Sequence, residues 1–168
     1  MLDARHRGTV LLCHSLAIKM TQQNRPPVSS KVFRDPVHNL ISVDTVREKL
    51  ILELINTREM QRLRRIRQLG LSYVTYPGAE HSRFVHSLGV SHLVKRIIAQ
   101  LQFSRDEQEK EWLESILDNY QLVLCAALLH DIGHGPFSHA IEKTTNIKHE
   151  DWTTLIINNP RTEVHYVR

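Results

Sequence analysis

Cysteine is nearly absent: Cys13 and Cys125 are the only two, and neither lies in a CxxC pair. That excludes a disulfide framework and a thiolate zinc site, and Cys125, inside the apolar run VLCAALL, reads as a small core residue. Long hydrophobic runs are missing as well. No stretch approaches the roughly 18 apolar residues that cross a bilayer, so a membrane span is excluded and a cytoplasmic location is expected. The short segment VLLCHSLAI, behind Arg5 and Arg7, is broken by His14 and followed by no A-x-A-like cleavage site. Residues 1–30 are therefore expected to be a disordered leader or the product of a mis-assigned start, with Met20 as the alternative, ending in the polar approach TQQNRPPVSS. There is no GxxxxGK[ST], so phosphates are not held in the P-loop manner. Charge of one sign is not in excess either: 22 Lys and Arg face 18 Asp and Glu, a net +4 that suits an anionic substrate but does not indicate a nucleic-acid partner.

What is present is mostly helix pattern. KVFRDPVHNLISV alternates loosely around Asp35-Pro36 and His38-Asn39 and predicts a short hairpin. VREKLILELIN places Val46, Leu50, Leu54 and Ile55 on one helical face. Thr57 is the expected N-cap of a helix over REMQRLRRIRQLG that closes at Gly70, with Met60, Leu63, Ile66 and Leu69 as its apolar stripe and Arg62, Arg65 and Arg67 on a solvated face. YVTYPGAEH is expected as a loop, and Ser82 or its neighbours as the cap of RFVHSLGVSHLVKRIIAQL. Residues 104–119, rich in Asp and Glu, predict a solvated helix or connector. The apolar helix YQLVLCAALLH follows, then the turn GHGPFSH and the stretch AIEKTTNIKHEDWTTLII.

HDIGHGPFSH, residues 130–139, holds three histidines, one aspartate and two glycines. A water-activating divalent metal needs neutral imidazoles and carboxylates with a coordination position left open. His130-Asp131 supplies both ligand types. Neighbours in a regular helix diverge by about 100°, so the helix must break there, and Gly133, Gly135 and Pro136 are suited to that break. For an isolated His-Asp pair, a C-terminal histidine favoured by the helix dipole is the simpler reading. A second cluster, HSRFVHSLGV, changes the balance: His86 lies among Leu88, Val90, Leu93 and Val94, and buried imidazoles beside a buried carboxylate are costly unless bonded or ligated.

HSRFVHSLGV followed some forty residues later by LLHDIGHGPFSH resembles the HD-domain metal-dependent phosphohydrolases. With KVFRDPVHNLI, QRLRRIRQLG and YPGAEHSRF in order, it resembles more narrowly the deoxynucleoside triphosphate triphosphohydrolase branch, the dGTPase-like and SAM-and-HD-domain proteins. The resemblance covers about residues 31–157. It implies an all-α, mainly helical HD bundle over residues 31–168 with a short N-terminal β-hairpin. It also implies His86, His130 and Asp131 as ligands of a divalent metal (Mn, Fe, Zn, Co or Mg). The family's fourth ligand, an aspartate on a helix well beyond the doublet, has no counterpart here. The expectation is an incomplete domain, its C-terminal helices missing, with weak turnover and uncovered apolar faces.

The resemblance further implies His139 as general acid, His134 as a helper on the phosphate side and His149 as a further histidine near the phosphates. It implies Arg83 on a substrate phosphate, with Gln68 and Leu69 lining the sugar pocket. The reaction implied is hydrolysis of a deoxynucleoside triphosphate to deoxynucleoside and triphosphate. Gln61 and Arg64 match a nucleotide-effector pattern, but Asn56 stands where an aspartate is usual. Homo-oligomers are usual in the branch. His38 and His92 are expected to be structural. Two other readings stand beside this one: an HD hydrolase of a nucleotide monophosphate or cyclic dinucleotide, and a non-catalytic nucleotide-binding or assembly module.

Overall fold

The computed structural model describes residues 29–137 and 139–167, so the expected leader falls outside the described residues but for its last two positions. The hairpin forms as the turn residues dictate. Strands β1 (Ser30–Asp35) and β2 (Asn39–Asp44) pair antiparallel, Ser30 opposite Asp44 and Asp35 opposite Asn39. Asp35 Oδ1 accepts the amides of Val37 at 2.8 Å and His38 at 2.7 Å, and Asn39 takes the left-handed backbone (φ 62°) that asparagine tolerates. Alternation then buries Ile41 and Val43 and turns Leu40 and Ser42 outward.

Helix α1 (Lys49–Asn56) begins later than its apolar pattern suggests. Asp44 Oδ1 takes the amides of Val46 and Arg47, and the Glu48 carboxylate takes the amide of Asp44. Those bonds hold residues 45–48 as a turn, so Val46 is exposed rather than in the core, and Ile51, Leu54 and Ile55 form the buried face. Thr57 caps α2 (Arg58–Arg62) by accepting the Met60 amide. This helix is shorter than predicted. It tightens into a 3-10 turn over Leu63–Arg65, and Ile66 is extended. The extended piece pairs with the stub before the next helix: Arg83 N donates to Ile66 O and Gln68 N to His81 O. Met60, Leu63 and Ile66 are buried, but Leu69, beyond the break, is exposed.

Ser82 caps α3 (Arg83–Leu101), and Asp106 caps α4 (Glu107–Asp118), whose acidic face is solvated as expected. Helix α5 (Tyr120–Leu129) follows and ends at the HD doublet. Beyond the turn the chain divides at Asn146 (φ 55°) into α6 (His139–Thr145) and α7 (His149–Asn158), and a short α8 (Glu163–Tyr166), absent from the sequence reading, closes the described residues. The architecture is mainly helical with an N-terminal hairpin, as predicted. One core unites Ile41 and Val43 with Ile51, Leu54, Met60, Leu63, Phe84, Leu88, Leu124, Leu128 and Ile132. Buried Glu48 ties its layers together: it accepts from Tyr120 Oη at 2.9 Å on α5 and from Lys95 Nζ at 2.9 Å on α3. Burial, reinforced by the Glu48 charge, pushes the Tyr120 hydroxyl well above its ordinary value. This bracing aligns α3 with α5 and sets where His86 meets the end of α5.

Candidate metal and histidine site

His86, in the first turn of α3, faces His130 and Asp131 where α5 ends. The Nε2 atoms of His86 and His130 lie 3.3 Å apart; His130 Nε2 is 3.3 Å from Asp131 Oδ1, and His86 Nε2 is 3.6 Å from Oδ2. The sequence reading placed these imidazoles in the interior. Their side chains are instead 33% and 38% exposed, while Asp131 is only 7% exposed, so the trio sits at the floor of an open surface rather than in a sealed core.

The hydrogen bonds place one proton. His130 Nδ1 is 2.9 Å from Ala127 O, and a carbonyl only accepts, so Nδ1 carries a proton and Nε2 is the nitrogen available on the side of His86 and Asp131. Burial raises the Asp131 carboxyl, but the His134 hydrogen bond and the neighbouring His130 and Arg83 outweigh it and hold the group well below the carboxylate range. Burial lowers His86, only partly offset by Asp131, which favours its neutral, ligating form. Two imidazole nitrogens and a carboxylate therefore point into one space, a donor set that suits a cation. A backbone carbonyl on the distal nitrogen is the usual second partner of a metal-bound histidine. The residues fit a divalent metal.

Arg83, expected on a substrate phosphate, is turned toward Asp131 and Gln68. Its side chain is 3% exposed and its Nη1 lies 2.5 Å from Asp131 Oδ2, with Nη2 3.4 Å from Gln68 O. It balances the ligand carboxylate from inside. Gln68, held by the pairing of residues 66–68 with the stub before α3, has a buried side-chain oxygen with no hydrogen-bond partner among the described residues. Leu69 beside it is exposed.

His134, His139 and His149 gather next to the trio, joined to it by His134 Nε2, 3.4 Å from Asp131 Oδ1. Glu142, which the sequence reading missed, organises them. Its oxygens lie 2.9 Å from His139 Nδ1 and 2.7 Å from His149 Nδ1. A carboxylate only accepts, so both Nδ1 atoms bear protons and both Nε2 atoms are left free to act. The hydrogen bond from His139, with that from His149, holds Glu142 at about 2, ionised across the neutral range. The legible signal for Glu142 was its position three residues after His139, the spacing of same-face helical partners. The rings of His134 and His149 are stacked, centroids 3.8 Å apart and 14° from parallel. One ligand atom from each of His134, His139, Glu142 and His149 lies within 4.8 Å of the others, and here the Nδ1 atoms of His139 and His149 are engaged by hydrogen bonds to Glu142.

Backbone contacts fix the assembly. The His149 carbonyl and the first turn of α7 press on Gly133, where an added Cβ would lie 2.1 Å from His149 O and 2.4 Å from Thr153 N; Gly133 N also donates to Thr153 Oγ1 at 3.0 Å. The glycine is needed for close approach, not for the backbone freedom expected of it. The left-handed residue in the turn is Phe137 (φ 62°), and a Cβ on Gly135 would make only ordinary contact. Arg62 likewise departs from the solvated face predicted for it: Nη1 donates to His134 O at 2.8 Å and Nη2 to Ile132 O at 2.6 Å. Arg67 stacks on Tyr73, which leaves Arg65 as the member of that trio on the solvated face. His38 and His92 face each other, ring centroids 5.2 Å apart, as part of the packing between the hairpin turn and α3.

Residues 83–160 match the family model of the HD domain, a span that opens three residues before His86 and includes the doublet and the histidine cluster. The chain carries an HD domain over these residues. It is 51% identical over 148 residues to the uncharacterized protein YwfO of Bacillus subtilis, covering 88% of this chain and 32% of that one. It is 39% identical over 125 residues to the deoxynucleoside triphosphate triphosphohydrolase SAMHD1 of Xenopus laevis, covering 74% of this chain and 18% of the relative. Among solved structures, a phosphohydrolase from Bacteroides thetaiotaomicron superposes with a TM-score of 0.60 at 36% identity, over 77% of this chain and 30% of that one. The chain thus spans a third or less of the length of these relatives. No helix among the described residues is long and apolar enough to cross a membrane.

Proposed function

We propose that this site is the centre of a metal-dependent phosphohydrolase that acts on deoxynucleoside triphosphates and releases deoxynucleoside and inorganic triphosphate. The observation that carries the reading is the junction of two unlike sets of groups through one carboxylate. Asp131 belongs to a ligand trio on one side and bonds His134 of the proton-handling cluster on the other. His86, His130 and Asp131 would hold the metal, which supplies Lewis acidity toward water and a phosphoryl oxygen. Three protein ligands leave coordination positions open.

The chain's own groups do the rest. His139, 66% exposed and fixed through Nδ1 by ionised Glu142, presents Nε2 outward as the acid that protonates the departing sugar oxygen. His149, fixed by the same carboxylate, presents its Nε2 toward the phosphates. His134, lowered by burial, stays neutral and bonds Asp131. Arg83 keeps Asp131 charged and in place. The partnerless oxygen of Gln68 accepts from a sugar hydroxyl, and exposed Leu69 lies against the sugar. The similarity to SAMHD1 supports the dNTP substrate class. A nucleotide effector belongs to the same reading, and the cleft of about 270 Å³ between the hairpin and α3, lined by Arg34 and Arg64, is where it would be sought. A homo-oligomeric assembly is part of the same proposal.

Incubation with each dNTP and Mn²⁺, resolved by phosphorus NMR and nucleoside chromatography, is the test. Slow, metal-dependent release of triphosphate and deoxynucleoside in equal amounts is expected. Orthophosphate or a nucleoside monophosphate as product would move the site to another nucleotide hydrolase. Nucleotide binding without metal retention would make the chain a binding module.

A further inference from the structure

We propose that Arg62 is a positioning residue for the HD turn, its guanidinium forked onto the carbonyls of Ile132 and His134 so that the His134 ring is held between Asp131 and His149. This rests on the reading of the site given above. The two carbonyls belong to the residues on either side of Gly133, the point at which α7 presses on the turn. Residues 132–137 have left the regular helix, and among the described residues their backbone-to-backbone bonds are few: Ile132 N to Leu129 O, His134 N to Asp131 O and Ala140 N to Phe137 O. Among the described residues, no other group donates to the carbonyls of Ile132 or His134. Arg62 supplies from α2 what the broken helix no longer supplies to itself.

The chemistry requires arginine. Its planar fork reaches two diverging acceptors at once, whereas a lysine ammonium on a flexible stem reaches one at a time. Bonds of 2.6 and 2.8 Å restrain the peptide units on both sides of Gly133. His134 is 2% exposed and its ring sits 3.8 Å from that of His149, so a small turn of its backbone separates the stack and lengthens the bond to Asp131. Arg62 touches none of the reacting atoms. It acts through His134 and Asp131.

The test compares the whole chain with Arg62→Lys and Arg62→Ala, each with and without methylguanidinium, by metal-dependent dNTP turnover, imidazole ¹⁵N NMR and the folded fraction from circular dichroism. Outer partners of a metal site typically matter by about 10- to 100-fold, and a loss of kcat in that range is expected for both variants, with KM changed far less. Methylguanidinium should restore part of the Arg62→Ala rate, and the ring signals of His134 and His149 should move in that variant while those of His38 and His92 stay put. Unaltered turnover and ring signals in folded Arg62→Ala would overturn the proposal. So would a loss that merely tracks the folded fraction and ignores methylguanidinium, and Arg62→Lys keeps the comparison open if the alanine variant does not fold. If the unsubstituted chain turns over no dNTP, the hydrolase reading fails, and the ring signals decide Arg62 by themselves.

Discussion

Gly133→Ala is expected to lift α7 off the HD turn and remove His149 from the site. An alanine Cβ at this position would stand 2.1 Å from a backbone carbonyl and 2.4 Å from a backbone nitrogen of α7's first turn, against an ordinary contact of 3.4 Å or more. Neither atom belongs to a flexible side chain, so the helix itself must retreat by over an ångström. Overpacking in a well-packed region costs about 1–3 kcal/mol, and a clash against backbone on both counts places this one at the upper end or beyond. The bond from Gly133 N to Thr153 Oγ1 is lost with it, and His149 leaves Glu142 and the His134 ring. Urea denaturation measures the first effect, and the His149 imidazole signal measures the second. Unchanged stability together with an unmoved His149 signal would show that α7 does not seat on the turn as described.

Asp131→Ala should abolish metal retention and destabilise the fold in one step. The substitution deletes a proposed ligand, and it also takes from the buried Arg83 guanidinium the carboxylate 2.5 Å away. Breaking a buried pair by removing one partner costs about 3–5 kcal/mol, because the other charge stays in the interior. His130→Ala provides the contrast: it deletes a ligand whose side chain is 38% exposed, so metal should be lost with far less effect on stability. Metal content per chain and urea midpoints, measured on both variants, separate the two roles of Asp131. An Asp131→Ala protein that keeps its metal would remove the ligand assignment, and one as stable as the parent would remove the pairing with Arg83.

The sequence was legible where local chemistry decides the outcome. Asp35-Pro36 and Asn39 announce the hairpin, and Thr57 and Ser82 mark boundaries that the structure keeps, because a cap acts on its immediate neighbours; Gly70 is left-handed but stands in a turn well past the helix it was expected to close. The HD doublet at a broken helix end and a histidine on an earlier helix identified the three residues that the fold brings together. Legibility failed where a distant partner decides. Met60, Leu63 and Ile66 recur every three residues, which suits the 3-10 turn found there better than the α-helix read from them, but what ends the element is pairing with the stub before α3. Arg62 looks like its exposed neighbours Arg64 and Arg65 until the turn at 132–134 is folded against it. The contact of Arg83 with Asp131 likewise depends on the packing of α3 on α5.

The three proposed ligands come from helices far apart in the chain, His86 on α3 and His130, forty-four positions later, at the end of α5. An extended, denatured chain does not hold them within reach of one ion, so with these residues as ligands the cation and the folded state would be coupled equilibria. Free metal should raise the melting temperature with the logarithm of its concentration once above the dissociation constant. A chelator should act on this protein as a mild denaturant.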